Sequence, residues 1–188
     1  MNKAIFLNKD GTLIKDIPNN INLKYVSLNE GVVDGLRLLQ GKGFYLILIT
    51  NQEGIAHGYF KEQAIISAIY RVEELLKFKG VYLDGYVLCP HHPGGKVRKY
   101  SIECDCRTPK PGLLLNAAKK YNLDLTSSWI LSNSSNDIEA GNTAGCHTIM
   151  IENELTATVN SIFEEAQKPN ANFLDIKTAA EFILAQTK

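Results

Sequence analysis

The sequence contains no apolar run approaching the ~20 residues of a membrane-spanning helix, and its first residues lack the basic-then-apolar profile of a secretory signal. A cytoplasmic location without a membrane partner is expected. Neither sign of charge is in excess: 20 Lys and Arg balance 20 Asp and Glu, for a formal net charge of +0. No local Lys/Arg cluster breaks that balance, so there is no field to hold nucleic acid or an anionic surface. Cysteine is scarce, four in 188 residues, which excludes a disulfide scaffold. Repeats and low-complexity tracts are missing as well. What remains is 45% hydrophobic and 21% charged, the balance of a soluble globular chain, and the length suits one well-buried core. A single domain over residues 1–188 is expected.

Short apolar runs rich in β-branched and aromatic residues recur at Ala4 to Leu7, Tyr45 to Thr50, Tyr86 to Leu88, Trp129 to Leu131 and Thr148 to Ile151. Runs of this kind read as buried parallel strands. Helical periodicity falls between them, at Val32 to Leu39, Lys61 to Lys79, Gly112 to Tyr121 and Asp137 to Ala144. The alternation predicts an α/β fold with a doubly wound, mostly parallel sheet, whose ligand crevice opens at the carboxyl ends of the strands. Asn8, Thr50, Cys89 and Asn133 all fall at or just past such ends. A last helix near Thr178 to Gln186 is expected to pack on an edge, after a looser Lys168-Pro169-Asn170 connection.

The cysteines are unevenly placed. Cys89-Pro90-His91-His92 and Cys104-Asp105-Cys106 flank one Gly-rich, charged loop. Cys89, His91, Cys104 and Cys106 would supply three thiolates and an imidazole, a closed tetrahedral set suited to structural zinc, within a loop spanning residues 89–106. His92 is a spare candidate ligand. Cys146, beside Ile149 and Ile151, is expected in the core.

Ile5-Phe6-Leu7-Asn8-Lys9-Asp10-Gly11-Thr12-Leu13 is a strand running into a polar loop, and it resembles the Asp-x-Asp-Gly-Thr motif of the haloacid dehalogenase (HAD) superfamily. Thr50-Asn51-Gln52-Glu53-Gly54-Ile55-Ala56 is similar to the second motif of that superfamily, and Leu131 to Gly141 to its Gly-Asp-x-x-x-Asp-Ile-x-Ala-Gly motif. Gly54-Ile55-Ala56, Cys89 to His92 and Cys104-Asp105-Cys106-Arg107 narrow the resemblance to the heptose-1,7-bisphosphate 7-phosphatases and, less closely, the histidinol-phosphate phosphatases. The likeness runs from Lys3 to about Ile151.

The resemblance implies roles position by position. Asn8 stands at the nucleophile, where an aspartate would form an aspartyl-phosphate. Asp10 is the general acid and a backbone metal ligand. Thr50 holds phosphoryl oxygens, with Thr12, Asn51, Gln52, Glu53 and Arg107 around the substrate. Asn8, Asp10 and Asn133 form the Mg²⁺ site, with Asp137 supporting it from behind. Thr108 replaces a lysine between Arg107 and Pro109, and Lys110 is the candidate to replace that charge. Ser132 replaces a glycine, Glu53 a small residue, and His57 an arginine.

An amide oxygen cannot replace the attacking carboxylate, and Mg²⁺ is commonly anchored by only one or two carboxylates. Weak or absent Mg²⁺ binding and little hydrolysis are therefore expected, from a chain whose ligand would be a phosphorylated sugar. Two further readings stand beside this one: an active Mg²⁺-dependent phosphatase with a rearranged site, and a non-catalytic protein-interaction module whose partner the sequence does not identify.

Overall fold

The protein is described from a computed structural model covering residues 1–17, 21–152 and 164–187. Six strands form one sheet: β1 (Ala4–Asn8), β2 (Tyr45–Asn51), β3 (Gly85–Cys89), β4 (Trp129–Ser132), β5 (His147–Ile151) and β6 (Ala171–Phe173). Their spatial order is β3-β2-β1-β4-β5-β6, and every pair is parallel. The chain runs outward from β1 to one edge, then returns to the other side of β1 and runs to the opposite edge. This is the doubly wound arrangement, with its switch point between β1 and β4, where a crevice opens at the strand ends.

Side-chain alternation along β1 divides the core. Ile5 and Leu7 face a cluster with Leu46, Leu48, Leu131 and Ile149, while Ala4 and Phe6 face one with Ile47, Ile49 and Ile130. The first cluster is covered by α1 (Val32–Gly41), α3 (Glu62–Phe78) and α6 (Ile176–Gln186), the second by α4 (Gly112–Tyr121) and α5 (Ser135–Ala144). In α3, Ile65, Ile69, Val72 and Leu76 recur at helical spacing and are buried. Cys146 is buried in the second cluster, and burial pushes its thiol up to about 12.

The carboxyl end of the chain differs from expectation. β6 takes the edge beside β5, and α6 packs on the sheet face against α1 rather than on the edge. Burial explains the placement: Ile176, Ala179, Ala180 and Ile183 form one apolar stripe, and the Asp175 side chain caps the helix by accepting from the Thr178 N–H at 2.9 Å. A three-residue strand with half-exposed side chains leaves no apolar run to read, so β6 escapes sequence analysis. So does α2 (Glu53–His57), a single turn closed by Gly58 at φ 79°. Among the described residues no helix is long and apolar enough to cross a membrane.

α1 and α6 approach closely at Gly35, where an added Cβ would lie 2.6 Å from the Ile176 carbonyl oxygen. Gly35→Ala should therefore destabilise the protein by about 1–3 kcal/mol, because overpacking against backbone outweighs the better helix propensity of alanine. Gly41→Ala, where a Cβ meets nothing within 4 Å, should be neutral or slightly stabilising. Urea-denaturation midpoints of the two variants test the contrast.

Candidate active-site crevice and metal centre

β1 delivers Asn8 to the switch point between its neighbours: Asn8 pairs with Ile49 of β2, and Leu7 with Leu131 of β4. The chain then turns tightly, with Gly11 at φ 79°, and the Leu13 N–H returns to the Asn8 carbonyl at 3.2 Å. Only glycine fits this turn, since a Cβ there would lie 2.1 Å from Asn133 Nδ2. Asn133 is thereby held against the loop. Its Oδ1 accepts from Asn8 Nδ2 and from the Thr12 hydroxyl, both at 3.1 Å, and its backbone N–H donates to Thr12 Oγ1 at 3.1 Å. Asn8 Nδ2 also lies 3.3 Å from the Asp10 carbonyl oxygen.

Behind this pair lies Asp137, buried near the start of α5. Its two oxygens accept from Thr108 Oγ1 at 2.9 Å and Ser132 Oγ at 2.7 Å. The Thr108 hydroxyl in turn accepts from Asn51 Nδ2 at 2.7 Å, leaving Asn51 Oδ1 buried without a hydrogen-bond partner among the described residues. Among the described residues no cation pairs with Asp137. Burial pushes its carboxyl above the ordinary 3.8, with the two hydroxyl hydrogen bonds pulling the other way.

Each cation of the crevice has a carboxylate partner. Arg107 pairs with Glu53, and its other nitrogen donates to the His91 carbonyl at 3.4 Å. Lys9, only 2% exposed, pairs with Asp10, whose second oxygen accepts from Gln52 Nε2 at 2.8 Å. Gln52 Nε2 also reaches Thr50 Oγ1 at 2.9 Å. Lys110 does not supply the charge missing at Thr108: its ammonium faces Glu103 and Asp105 at 3.9 and 3.7 Å, and it does not line the crevice. His57 stacks between Tyr59 and His92 outside the cavity lining. The cavity, about 270 Å³, is bounded by Asp10, Asn51, Gln52, Glu53, Arg107 and Thr108 from the expected set. Gly54 of the second motif and the unanticipated Lys9, Asp16, Ile17, Ser134 and Asn136 complete it.

The cysteine loop gathers as its spacing implies. The ligand atoms of Cys89, His91, Cys104 and Cys106 all lie within 4.8 Å of one another. Cys89 Sγ is 3.7 Å from Cys104 Sγ and 3.8 Å from His91 Nδ1, and Cys106 Sγ is 3.5 Å from Cys104 Sγ, close to the ~3.5–4 Å between ligand atoms of a tetrahedral zinc site. Cys106 Sγ sits closer to Cys89 Sγ, at 2.8 Å, and that contact with burial raises the Cys106 thiol. The donor set fits a metal that deprotonates thiols. His92 stays outside, its Nδ1 accepting from the Gly94 N–H at 3.1 Å.

Residues 105–179 match the family model described as HAD-hydrolase-like. The D-glycero-beta-D-manno-heptose-1,7-bisphosphate 7-phosphatase of Pasteurella multocida is 37% identical over 174 residues, 93% of this chain and 91% of that protein. Its counterpart from Haemophilus influenzae is 43% identical over 144 residues, 75% of this chain and 76% of the relative. The chain belongs to this heptose-bisphosphatase family of the HAD superfamily. The fold agrees: D,D-heptose 1.7-bisphosphate phosphatase from B. bronchiseptica, crystallised with magnesium and phosphate, superposes with a TM-score of 0.83 at 23% identity, over 99% of each chain.

The positions at which the resemblance implies a change have specific partners in the fold. Asn8 bonds Asn133, Thr108 and Ser132 both bond Asp137, and Glu53 takes Arg107. Sequence separation hides these pairings. Lys9 carried one local signal, a lysine directly after an apolar strand end, but the turn that buries it depends on tertiary contacts.

The raised Asp137 carboxyl has a pH consequence. The folded protein holds that proton at pH values where the unfolded chain has released it, so above 3.8 stability falls as pH rises through the folded value. Asp137→Asn removes the titration while keeping polar contact with Thr108 and Ser132. The stability of the natural chain relative to Asp137→Asn should be greatest near pH 3.8 and below, and should decline above it. Urea midpoints at stepped pH measure this; a difference that grows with pH would refute it.

Proposed function

We propose that this chain is a non-hydrolysing member of the heptose-bisphosphatase family, with a structural zinc loop beside a vestigial catalytic crevice. The observation that carries the reading is the Asn8–Asn133 hydrogen bond, which ties together the nucleophile and metal positions through neutral amides. Carboxylates at both positions would repel one another and require a cation between them. The Asn8 amide instead donates to the Asn133 oxygen with no cation needed.

Mg²⁺ does not suit this donor set. Of the three positions the resemblance assigns to the metal, Asp10 would contribute its backbone carbonyl, which lies 3.3 Å from Asn8 Nδ2, and Asn8 and Asn133 offer only neutral amides, so no ligating carboxylate remains. Ser132 and Thr108 supply Asp137 with hydroxyls in place of a lysine's charge, so the loss of that cation is compensated structurally but not chemically. A transferring phosphoryl group would meet Arg107 only after displacing Glu53.

The purified chain should hydrolyse heptose bisphosphate or an aryl phosphate on the order of 10⁶-fold more slowly than a working relative, the scale of losing a catalytic nucleophile. Asn8→Asp alone should recover little, because the new carboxylate lacks its metal. Asn8→Asp, Asn133→Asp and Thr108→Lys together should recover far more than the sum of the singles. Turnover by the unmodified chain that Asp10→Asn abolishes would replace this reading with a rearranged active site.

The loop of residues 89–106 is proposed to hold one zinc through Cys89, His91, Cys104 and Cys106. Metal analysis after chelator washing should find about one zinc per chain, and Cys104→Ser should lower both metal content and thermal stability. Zinc-free protein with an unchanged melting temperature would rule the site out.

A further inference from the structure

The crevice has changed what it can hold as well as what it can do. Among the described residues the cavity is lined by two cations, Lys9 and Arg107, against three carboxylates, Asp10, Asp16 and Glu53. Both cations are already paired, Lys9 with Asp10 and Arg107 with Glu53. An entering phosphate dianion would find no free positive charge, would compete with Glu53 for Arg107, and would stand beside Asp16. Like-charge juxtaposition of this kind is a strong means of rejecting a ligand.

The rest of the polar lining consists of amides and hydroxyls, from Asn51, Gln52, Thr108, Ser134 and Asn136. Gln52 donates inward to Asp10 and Thr50, and the Asn51 amide nitrogen donates to Thr108. Asn51 Oδ1, by contrast, is buried and has no hydrogen-bond partner among the described residues. A buried acceptor left unpaired costs free energy until a donor reaches it. The oxygens of a phosphomonoester dianion cannot provide one, because they only accept; a sugar hydroxyl can. The volume of about 270 Å³ lies just below the ~300–1,000 Å³ of pockets for larger ligands, a size suited to one monosaccharide.

We propose that the crevice binds an uncharged sugar, the polyol without its phosphates, and that Glu53 sets this preference by occupying Arg107 with an internal carboxylate. The proposal rests on the non-hydrolysing reading and deepens it: the sugar part of the family's ligand is kept and the phosphate is excluded.

Binding to the zinc-loaded full chain, followed by calorimetry and by amide chemical shifts, tests it with two probes, unphosphorylated D-glycero-D-manno-heptose and inorganic phosphate. The natural chain should bind the free heptose more tightly than phosphate, with shifts at Asn51, Ser134 and Asn136. Glu53→Ser should raise phosphate affinity about tenfold by freeing Arg107 and removing a like charge. Phosphate binding the natural chain more tightly than heptose would overturn the proposal, as would an unchanged phosphate affinity in Glu53→Ser. Absence of saturable heptose binding would overturn it too. Inorganic phosphate cannot be turned over, so these outcomes are independent of the hydrolysis assay, where activity would instead sink the non-hydrolysing reading.

Discussion

The parallel pairing of β1 with β2 on one side and β4 on the other is the constraint from which the crevice follows. β1 is apolar on both faces, so a one-residue slip would exchange Ile5 and Leu7 for Ala4 and Phe6 between two differently shaped clusters. With the register fixed, Asn8 can only emerge beside the ends of β2 and β4. Asn51, Ser132 and Asn133 then converge on it without further instruction. Amides at positions 8 and 133 leave this framework intact: Asn8 keeps its backbone pairing with Ile49 as the last residue of β1, and Asn133 lies just past the end of β4.

Much of this was legible in the sequence. Five strands announced themselves as apolar runs, the cysteine and histidine spacing anticipated that Cys89, His91, Cys104 and Cys106 come together, and six of the candidate site residues line one cavity. The failures have physical causes. β6 pairs through backbone with little apolar side chain to mark it, α2 is a single turn, and α6 was assigned to the edge because a helical stripe reveals how much it buries but not what it meets. Lys110 was a candidate on distance along the chain, whereas in the fold it faces the acids of the cysteine loop. The largest gap concerns partnership. Asn8 and Asn133 are 125 residues apart, Arg107 and Glu53 54, and Thr108 and Asp137 29, so a linear reading registers each departure as a separate loss.

The cysteine loop and the crevice are mechanically continuous. Cys106 is followed directly by Arg107 and Thr108, and the Gly112 N–H at the head of α4 returns to the Asp105 carbonyl at 2.9 Å. Arg107 also donates to the His91 carbonyl, so both arms of the loop bear on the residue that faces the cavity. A metal in this loop would set the position of the crevice wall and leave its chemistry to other residues.

The hydrogen bond between Asn8 and Asn133 also bears on how such a chain can change over time. A cluster of carboxylates is a standing electrostatic strain that a working phosphatase tolerates because its ion relieves it, and relaxing such strain is a common route to greater stability at the cost of activity. Here Asn8 Nδ2 donates to Asn133 Oδ1, a neutral contact that needs no ion. Asn8→Asp alone would set two acceptors against one another before any metal could bridge them, whereas Asn133→Asp alone would still accept from Asn8 Nδ2. The two positions are therefore not equivalent: an approach to a pair of carboxylates is open through position 133 and opposed through position 8.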